Sequence, residues 1–170
     1  MDFHVDTADS LAITDLEISE LLLQVYVDGG FVELESTTAL FEPSAVRSRG
    51  KMLAARAVQN SILAGMIIIV HPHSSVCRLA KANETEMHLL AVKPEYRGNG
   101  LGRMLIAAAI DDAIQGGFSK MLLSTQSTMK TAHYLYEFAR FVRVPERDYH
   151  RGGRDFLVYE KILNTYRSGH

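Results

Sequence analysis

The spacing of apolar and polar positions changes period several times along the chain, and each change marks an element. "DLEISELLLQVYVDGG" (Asp15–Gly30) reads as an amphipathic helix stopped by a glycine pair. "PSAVRSRG" (Pro43–Gly50) predicts a short second helix. "KMLAARAVQ" (Lys51–Gln59) and "ILAGMIIIV" (Ile62–Val70) flank the turn pair Asn60-Ser61 and predict an antiparallel hairpin. A polar loop, "HPHSSVCRLAKAN", leads to a strand over Glu84–Val92. After a glycine-rich loop, "GRMLIAAAIDDAIQGG" (Gly102–Gly117) carries a broad apolar stripe and a glycine C-terminal signal, so a helix is predicted there. "KMLLS" (Lys120–Ser124) has the pattern of a buried strand, which makes this middle section a β–loop–α–β unit. A further helix is predicted over Thr128–Ala139, with closing strands over Arg140–Val144 and Asp155–Ile162 and a turn at Arg151–Gly153. The order is mixed α/β: a mostly antiparallel sheet around one parallel step, with flanking helices.

Length and composition narrow the class. The 170 residues suit a single domain with its own core, and 47% hydrophobic against 22% charged residues is ordinary for a soluble globular protein. No repeat or internal boundary stands out, and four prolines argue against long disordered linkers. The acidic start "MDFHVDTADS" has no apolar run of the secretory kind, and "LAGMIIIV" is too short to span a bilayer. The single cysteine, Cys77, rules out an internal disulfide and fits a reducing cytoplasm. Net charge is −2 but uneven: ten acids face two arginines in residues 1–50 (balance −8), and sixteen Lys/Arg face ten acids afterwards (balance +6). This is either a pair of solvated faces or an acidic wall for a cationic substrate beside a basic wall for an anionic one.

The glycine loop "VKPEYRGNGLGRML" (Val92–Leu105) carries the most specific signal. Glycines at 98, 100 and 102 weaken the start of a helix, so a stronger requirement must operate, and close approach of unpartnered backbone N–H groups to an anion is the usual one. A nucleotide P-loop needs Gly-Lys-Ser/Thr, whereas this loop ends Gly102-Arg103-Met104. The dinucleotide fingerprint needs G-x-G-x-x-G, whereas the spacing here is G-x-G-x-G. What fits is "V-x-P-x-x-R-G-x-G-x-G" after a strand, which resembles the acetyl-CoA loop of the GNAT superfamily of N-acetyltransferases. "AHYLYEFARF" (Ala132–Phe141) is similar to the family's "A-x-x-L-Y-x-x-x-G-F" helix. Here Met129 stands where an Asn is more usual and Arg140 where the glycine is.

The resemblance implies a GNAT-like fold, with acetyl-CoA as co-substrate and an amine acceptor. The N–H groups of Gly98, Asn99, Gly100, Leu101, Gly102 and Arg103 would cradle the pyrophosphate, with Arg97 steadying the loop or the phosphates. The strand edge at Leu90, Ala91 and Val92 would pair with the pantetheine amides. It also implies Glu86 as general base and Tyr136 as the acid that protonates the leaving thiolate. Strand alternation puts Glu84, Glu86 and His88 on one face, and His88 is a rival base because its ordinary pKa lies near neutrality. His133 and Tyr134 lack a positional match and read as structural or surface groups.

Cys77 has no evident activating partner, and His71, His73 and Cys77 lack structural-zinc spacing, so neither an acyl-cysteine nor a metal is expected. The arginine-rich stretch "RFVRVPERDYHRGGR" could grip a substrate carboxylate. Its interleaved acids argue against nucleic acid. A membrane partner is not expected either, and a homodimer is compatible with the chain. Two functions remain: direct acetyl transfer to a primary amine of a small molecule or peptide, with a cationic amine favoured by the acidic first 50 residues, or a non-catalytic acyl-CoA-binding or regulatory module.

Overall fold

A computed structural model describes residues 1–164. Eight strands form one sheet in the order β1-β2-β3-β4-β5-β8-β6, with β7 on the outer part of β8. Their ranges are β1 Phe3–Thr7, β2 Gly50–Ala57, β3 Leu63–Val70, β4 Glu84–Val92, β5 Lys120–Gln126, β6 Val142–Arg143, β7 Tyr149–Arg151 and β8 Arg154–Ile162. All pairings are antiparallel except β4 with β5. The helices are α1 (Asp15–Leu22), α2 (Thr37–Leu40), α3 (Pro43–Ser48), α4 (Leu101–Gln115) and α5 (Lys130–Phe138). This is the mixed architecture expected, including the single parallel step.

Helices cover both faces, and the central hairpin shows why its sequence is apolar throughout. On β3, Ile67 and Ile69 pack with Leu105, Ile106 and Ala109 of α4 and with Tyr136 of α5. The alternate residues Met66, Ile68 and Val70 pack with Ile18, Leu21 and Leu22 of α1. A strand buried on both sides loses alternation, and every residue of β3 is buried. α1 is fixed at its start by a capping box, in which Glu17 N–H donates to Thr14 Oγ1 (3.2 Å) and Thr14 N–H to the Glu17 carboxylate (2.9 Å).

Three departures from the sequence reading are informative. β1 was not expected, although its alternating half-buried pattern over "FHVDT" is that of an edge strand. The single helix expected over Asp15–Gly30 stops being α-helical at Leu22 and continues as a wider π turn over Leu23–Val27, with Asp28 N–H donating to Leu23 O. That widening places Tyr26 in the interior. At the end of α5, Arg140 takes φ +66°, so the chain makes the bend for which the family uses glycine, with a residue poorly suited to it.

A left-handed backbone costs a non-glycine residue about 1–2 kcal/mol, partly offset by the greater unfolded-state freedom of glycine. Arg140→Gly is therefore expected to stabilise the fold by up to about 1 kcal/mol. A higher urea midpoint at constant m-value is the expected result. An unchanged or lower midpoint would show that the side chain at 140 compensates for the strain.

Candidate active site

The loop between β4 and α4 is held by its own side chains. Arg97 Nε donates to Val92 O (3.2 Å), and Asn99 Nδ2 donates to the carbonyls of Tyr96 and Arg97, both at 3.1 Å. Tyr96 is buried and hydrogen-bonded to Asn60, which ties the loop to the β2–β3 turn. Gly98 and Gly100 have φ of +77° and +79°, and a Cβ on either would meet nothing within 4 Å. Gly102 differs: its φ is not left-handed, and a Cβ there would lie 2.8 Å from a Leu135 methyl on α5. The three alternate glycines thus answer two needs. Two supply backbone conformation beside open space, and one lets two helices approach.

α4 begins at Leu101 with no side-chain cap and no acid in its first turn, and Met104 N–H makes the first helical bond, to Gly100 O. The N–H groups of Leu101, Gly102 and Arg103 therefore lack intrahelical partners and lie at the positive end of a fifteen-residue helix. Leu101 is buried beneath them as an anchor. The Arg103 guanidinium lies 3.8 Å over the Phe138 ring. Unpartnered N–H groups at a helix start can hold an anion such as a diphosphate.

β4 supplies an open edge beside that cradle. It pairs with β5 only over Glu84, Thr85 and Glu86. Beyond them the pairing with β3 slips between Met66 and Ile68, and Leu89 adopts φ +50°. Such a bulge turns a strand away from its neighbour. On the freed edge, Leu90 O accepts from the Tyr26 hydroxyl (2.9 Å) and Val92 O from Arg97 Nε. N–H and C=O of one residue point to the same side of an extended strand, so the N–H groups of Leu90 and Val92 share that edge. An extended amide chain can pair with it, while Ala91 is buried on the α1 side and contributes packing.

At the bottom of the split the structure brings Glu86 and His88 together, 3.1 Å apart. Glu86 is 1% exposed, and its oxygens accept from the backbone N–H groups of Arg78 (2.9 Å), Leu79 and Ala80 (3.1 Å), and from His88 Nε2. Burial alone would push its carboxyl up, but the hydrogen bonds from His88 and the loop amides outweigh it and hold the group below the ordinary carboxylate range. A general base needs a free lone pair and a pKa near the working pH. Glu86, the base implied by the resemblance, has neither. Its surroundings are those of an anchor for the 78–80 loop.

His88 continues the chain of contacts. With Nε2 donating to Glu86, Nδ1 is the acceptor and takes a hydrogen bond from Arg49 Nη1 at 3.2 Å. Arg49 also donates to Leu40 O (3.4 Å). Sequence reasoning missed Arg49 and Tyr26 because nothing in a helix end or a helical stripe marks a residue as facing a strand 39 or 64 positions away.

Tyr136 lies between the rings of Phe141 and Tyr159, with centroids 6.2 and 5.9 Å away. Burial, then the nearby Tyr26 and Tyr159 phenols, push its pKa far above the ordinary phenol value, so its proton is firmly held. Tyr26 has spent its hydroxyl on Leu90 O, whereas the Tyr136 hydroxyl makes no hydrogen bond among the described residues. It is not fully enclosed either: among the described residues, Thr125 Oγ1 is the fully buried side-chain polar atom without a partner. His133 is buried and bonded to Gln126 O (3.0 Å), and Tyr134 is exposed. Burial and the Glu86 charge push the Cys77 thiol up, opposite to what a nucleophile needs.

The comparisons decide which family these features belong to. The model of the acetyltransferase (GNAT) family matches residues 16–140. The chain belongs to the GNAT acetyltransferase family. It is similar to the N-acetylaspartate synthetase of Danio rerio, 30% identical over 52% of the chain and 32% of that protein. It is also similar to the human N-alpha-acetyltransferase 30, 42% identical over 32% of the chain and 15% of that protein. The chain thus spans a third or less of the length of these curated relatives. Among solved structures, the acetyltransferase of Bacillus subtilis in complex with CoA superposes with a TM-score of 0.69 at 19% identity, over 95% of this chain and 99% of that one. The ribosomal-protein-S18-alanine N-acetyltransferase of Escherichia coli does so with a TM-score of 0.66 at 18% identity, over 95% and 94%. The GNAT fold carries acetyl-CoA as co-substrate, and the space at Gly98 and Gly100 beside uncapped N–H groups fits it. No helix among the described residues is long and apolar enough to cross a membrane.

Gly100→Val puts a β-branched residue at φ +79° and turns the loop amides, so CoA affinity is expected to fall at least about tenfold. Gly102→Ala needs only a shift of Leu135 and is expected to leave CoA affinity near wild type. Calorimetry on the folded variants checks both, and equal losses would undo the division of roles among the glycines. Glu86 gives a pH test. Its folded pKa is lowered, so its contribution to stability is complete above the ordinary value of 4.5 and is lost as pH falls through the folded value. Glu86→Gln is expected to cost about 1–3 kcal/mol at pH 7, with the gap to wild type closing under acid. A gap independent of pH in urea unfolding would mean that the buried charge is not what anchors the loop.

Proposed function

We propose that this GNAT-family protein transfers the acetyl group of acetyl-CoA directly to a primary amine of a small molecule or peptide. The observation that carries the reading is the Tyr136 hydroxyl, unpaired among the described residues and close to Tyr26, whose own hydroxyl holds Leu90 O on the parted edge of β4. A module that only bound acyl-CoA would have no use for an unpaired phenol there. The two curated relatives are, by their names, an N-acetylaspartate synthetase and an N-alpha-acetyltransferase, so amines of small molecules and of peptides both stay within the proposal.

Acetyl-CoA supplies an activated thioester. In the proposal, the N–H groups from Gly98 to Arg103 hold its diphosphate, and those of Leu90 and Val92 hold its amide arm. His88 receives the proton of the attacking amine. Its Nε2–H is committed to Glu86, so Nδ1 is the accepting atom, and the amine must displace the Arg49 N–H that holds it in this structure. Glu86 is then a positioning residue, fixing tautomer and ring orientation. Tyr136 donates its hydrogen to the departing sulfur: burial keeps the phenol protonated, though a weaker acid than an ordinary phenol, so the transfer depends on its position beside the sulfur.

Release of free thiol from acetyl-CoA with a panel of amines tests the reading on the full chain, and no release with any amine while CoA still binds would favour the non-catalytic alternative. Tyr136→Phe keeps the ring between Phe141 and Tyr159, so fold and CoA affinity are expected to persist while turnover drops by about one to three orders of magnitude. A wild-type rate at saturating substrate would reduce Tyr136 to packing.

A further inference from the structure

The charge distribution of the folded chain differs from the one its sequence suggests. Half of the ten acids in the first 50 residues are engaged within the fold. Asp9 and Asp15 pair with Arg47, Glu17 with Arg56 and Glu33 with Arg154, and Glu42 caps α3. Beside the split in the sheet the unpaired charges are of the other sign. Arg49, partly buried at the end of α3, has no carboxylate partner among the described residues; its two contacts are the ring nitrogen of His88 and the carbonyl of Leu40. The nearest acid along that chain of contacts, Glu86, is saturated by the 78–80 amides. Arg147 reaches the same loop through Leu79 O at 2.8 Å, and the exposed Arg78 side chain has no ion pair among the described residues. Burial, followed by the charge of Arg78, makes the Arg49 cation less comfortable than usual, while the nearby Tyr26 works the other way.

A half-buried guanidinium whose contacts are neutral retains donors and an uncompensated charge, and its natural complement is a carboxylate. We infer that the acceptor is an amine with a carboxylate on the adjacent carbon, an α-amino acid held through Arg49 with its amino group beside His88. Two donors of Arg49 are spent, on His88 Nδ1 and Leu40 O, and the others can take the carboxylate, which would draw the guanidinium off Nδ1 and open that atom to the amino group on the same carbon. A cationic diamine would instead bring a second positive charge against Arg49 and Arg78. The cationic acceptor expected from the acidic N-terminal sequence is therefore replaced. In the Arg140–Arg154 segment, Arg143 is paired with Asp148 and Arg154 with Glu33, so those two are not available as the carboxylate grip.

The inference rests on the acetyl-transfer reading only for the purpose of the site, so its test is one of binding. Calorimetry on the full chain with CoA present would compare free amino acids having small, apolar and acidic side chains with their α-carboxamides. The acids are expected to bind about 10- to 100-fold more tightly than the amides. Arg49→Gln should bring the acids down to the level of the amides, and Arg49→Lys should keep part of the difference, with circular dichroism confirming the fold of each. Amides bound as well as acids, no binding of any amino acid, or an acid preference untouched in Arg49→Gln would each overturn it. Tighter binding of amides points instead to peptide N-termini, whose first carbonyl is an amide. Thiol release is read separately. Amino-acid binding without release leaves the acceptor class standing and removes the enzyme reading, whereas release with amides alone does the reverse.

Discussion

Everything at the candidate site depends on the parting of β4 from β5. Two parallel strands that stayed paired would bury their facing N–H and C=O groups in a ladder and leave nothing for a ligand. Here pairing ends after Glu86, the strand slips its register against β3, and Leu89 accepts a left-handed backbone. The unpaired edge does not collapse because other groups intervene. The Tyr26 hydroxyl, brought inward by the π turn after α1, takes the Leu90 carbonyl, and Arg97 takes that of Val92. Local strain is retained because several separate elements hold it in place.

The same parting gives Glu86 its environment. A carboxylate at the last paired position of β4 would be costly to bury without partners. Three successive backbone N–H groups of the 78–80 loop and the His88 ring supply them. In return the carboxylate orders a loop that has no regular structure of its own and sets the orientation of the histidine. The anchor and the adjacent arginine form one chain of contacts, from the loop amides through Glu86 and His88 to Arg49 and Leu40. Mutating any member therefore moves its neighbours, and single-residue effects along this chain will not add.

The parts of this arrangement that could be read from sequence are those carried by short-range pattern. The hairpin of β2 and β3, the full extent of β4, the glycine loop and α4 all follow from periodicity and turn residues, because their determinants lie within a few positions. β1 was legible too, in the alternation of "FHVDT", but an acidic composition hid it. The bulge at Leu89 left no trace: nothing about a leucine between His88 and Leu90 announces a positive φ. Nor could the sequence show that Gly102 serves the contact with Leu135 while Gly98 and Gly100 serve the backbone. The placement of charge was not legible either. Counting acids in the first 50 residues suggested a negative wall, but Arg47, Arg56 and Arg154 neutralise four of them across the fold. Charge counts survive folding; charge positions do not.

Once those pairings are made, the cleft has a consistent chemical character. The α4 N-terminus offers N–H groups, the freed edge of β4 offers N–H groups while its carbonyls at 90 and 92 are taken, Tyr136 offers a phenolic hydrogen, and Arg49 offers a guanidinium. Against these stands the Nδ1 atom of His88, an acceptor already engaged by Arg49. A surface of donors cannot be satisfied by another donor-rich molecule, because each buried donor left unpaired costs about 1–3 kcal/mol. Ligands that bring acceptors match it: in the proposed reading, phosphate oxygens at the helix, amide carbonyls along the strand, a thioester sulfur beside the phenol and a carboxylate at Arg49. In that reading His88 takes the amine proton only once the carboxylate has drawn Arg49 off Nδ1.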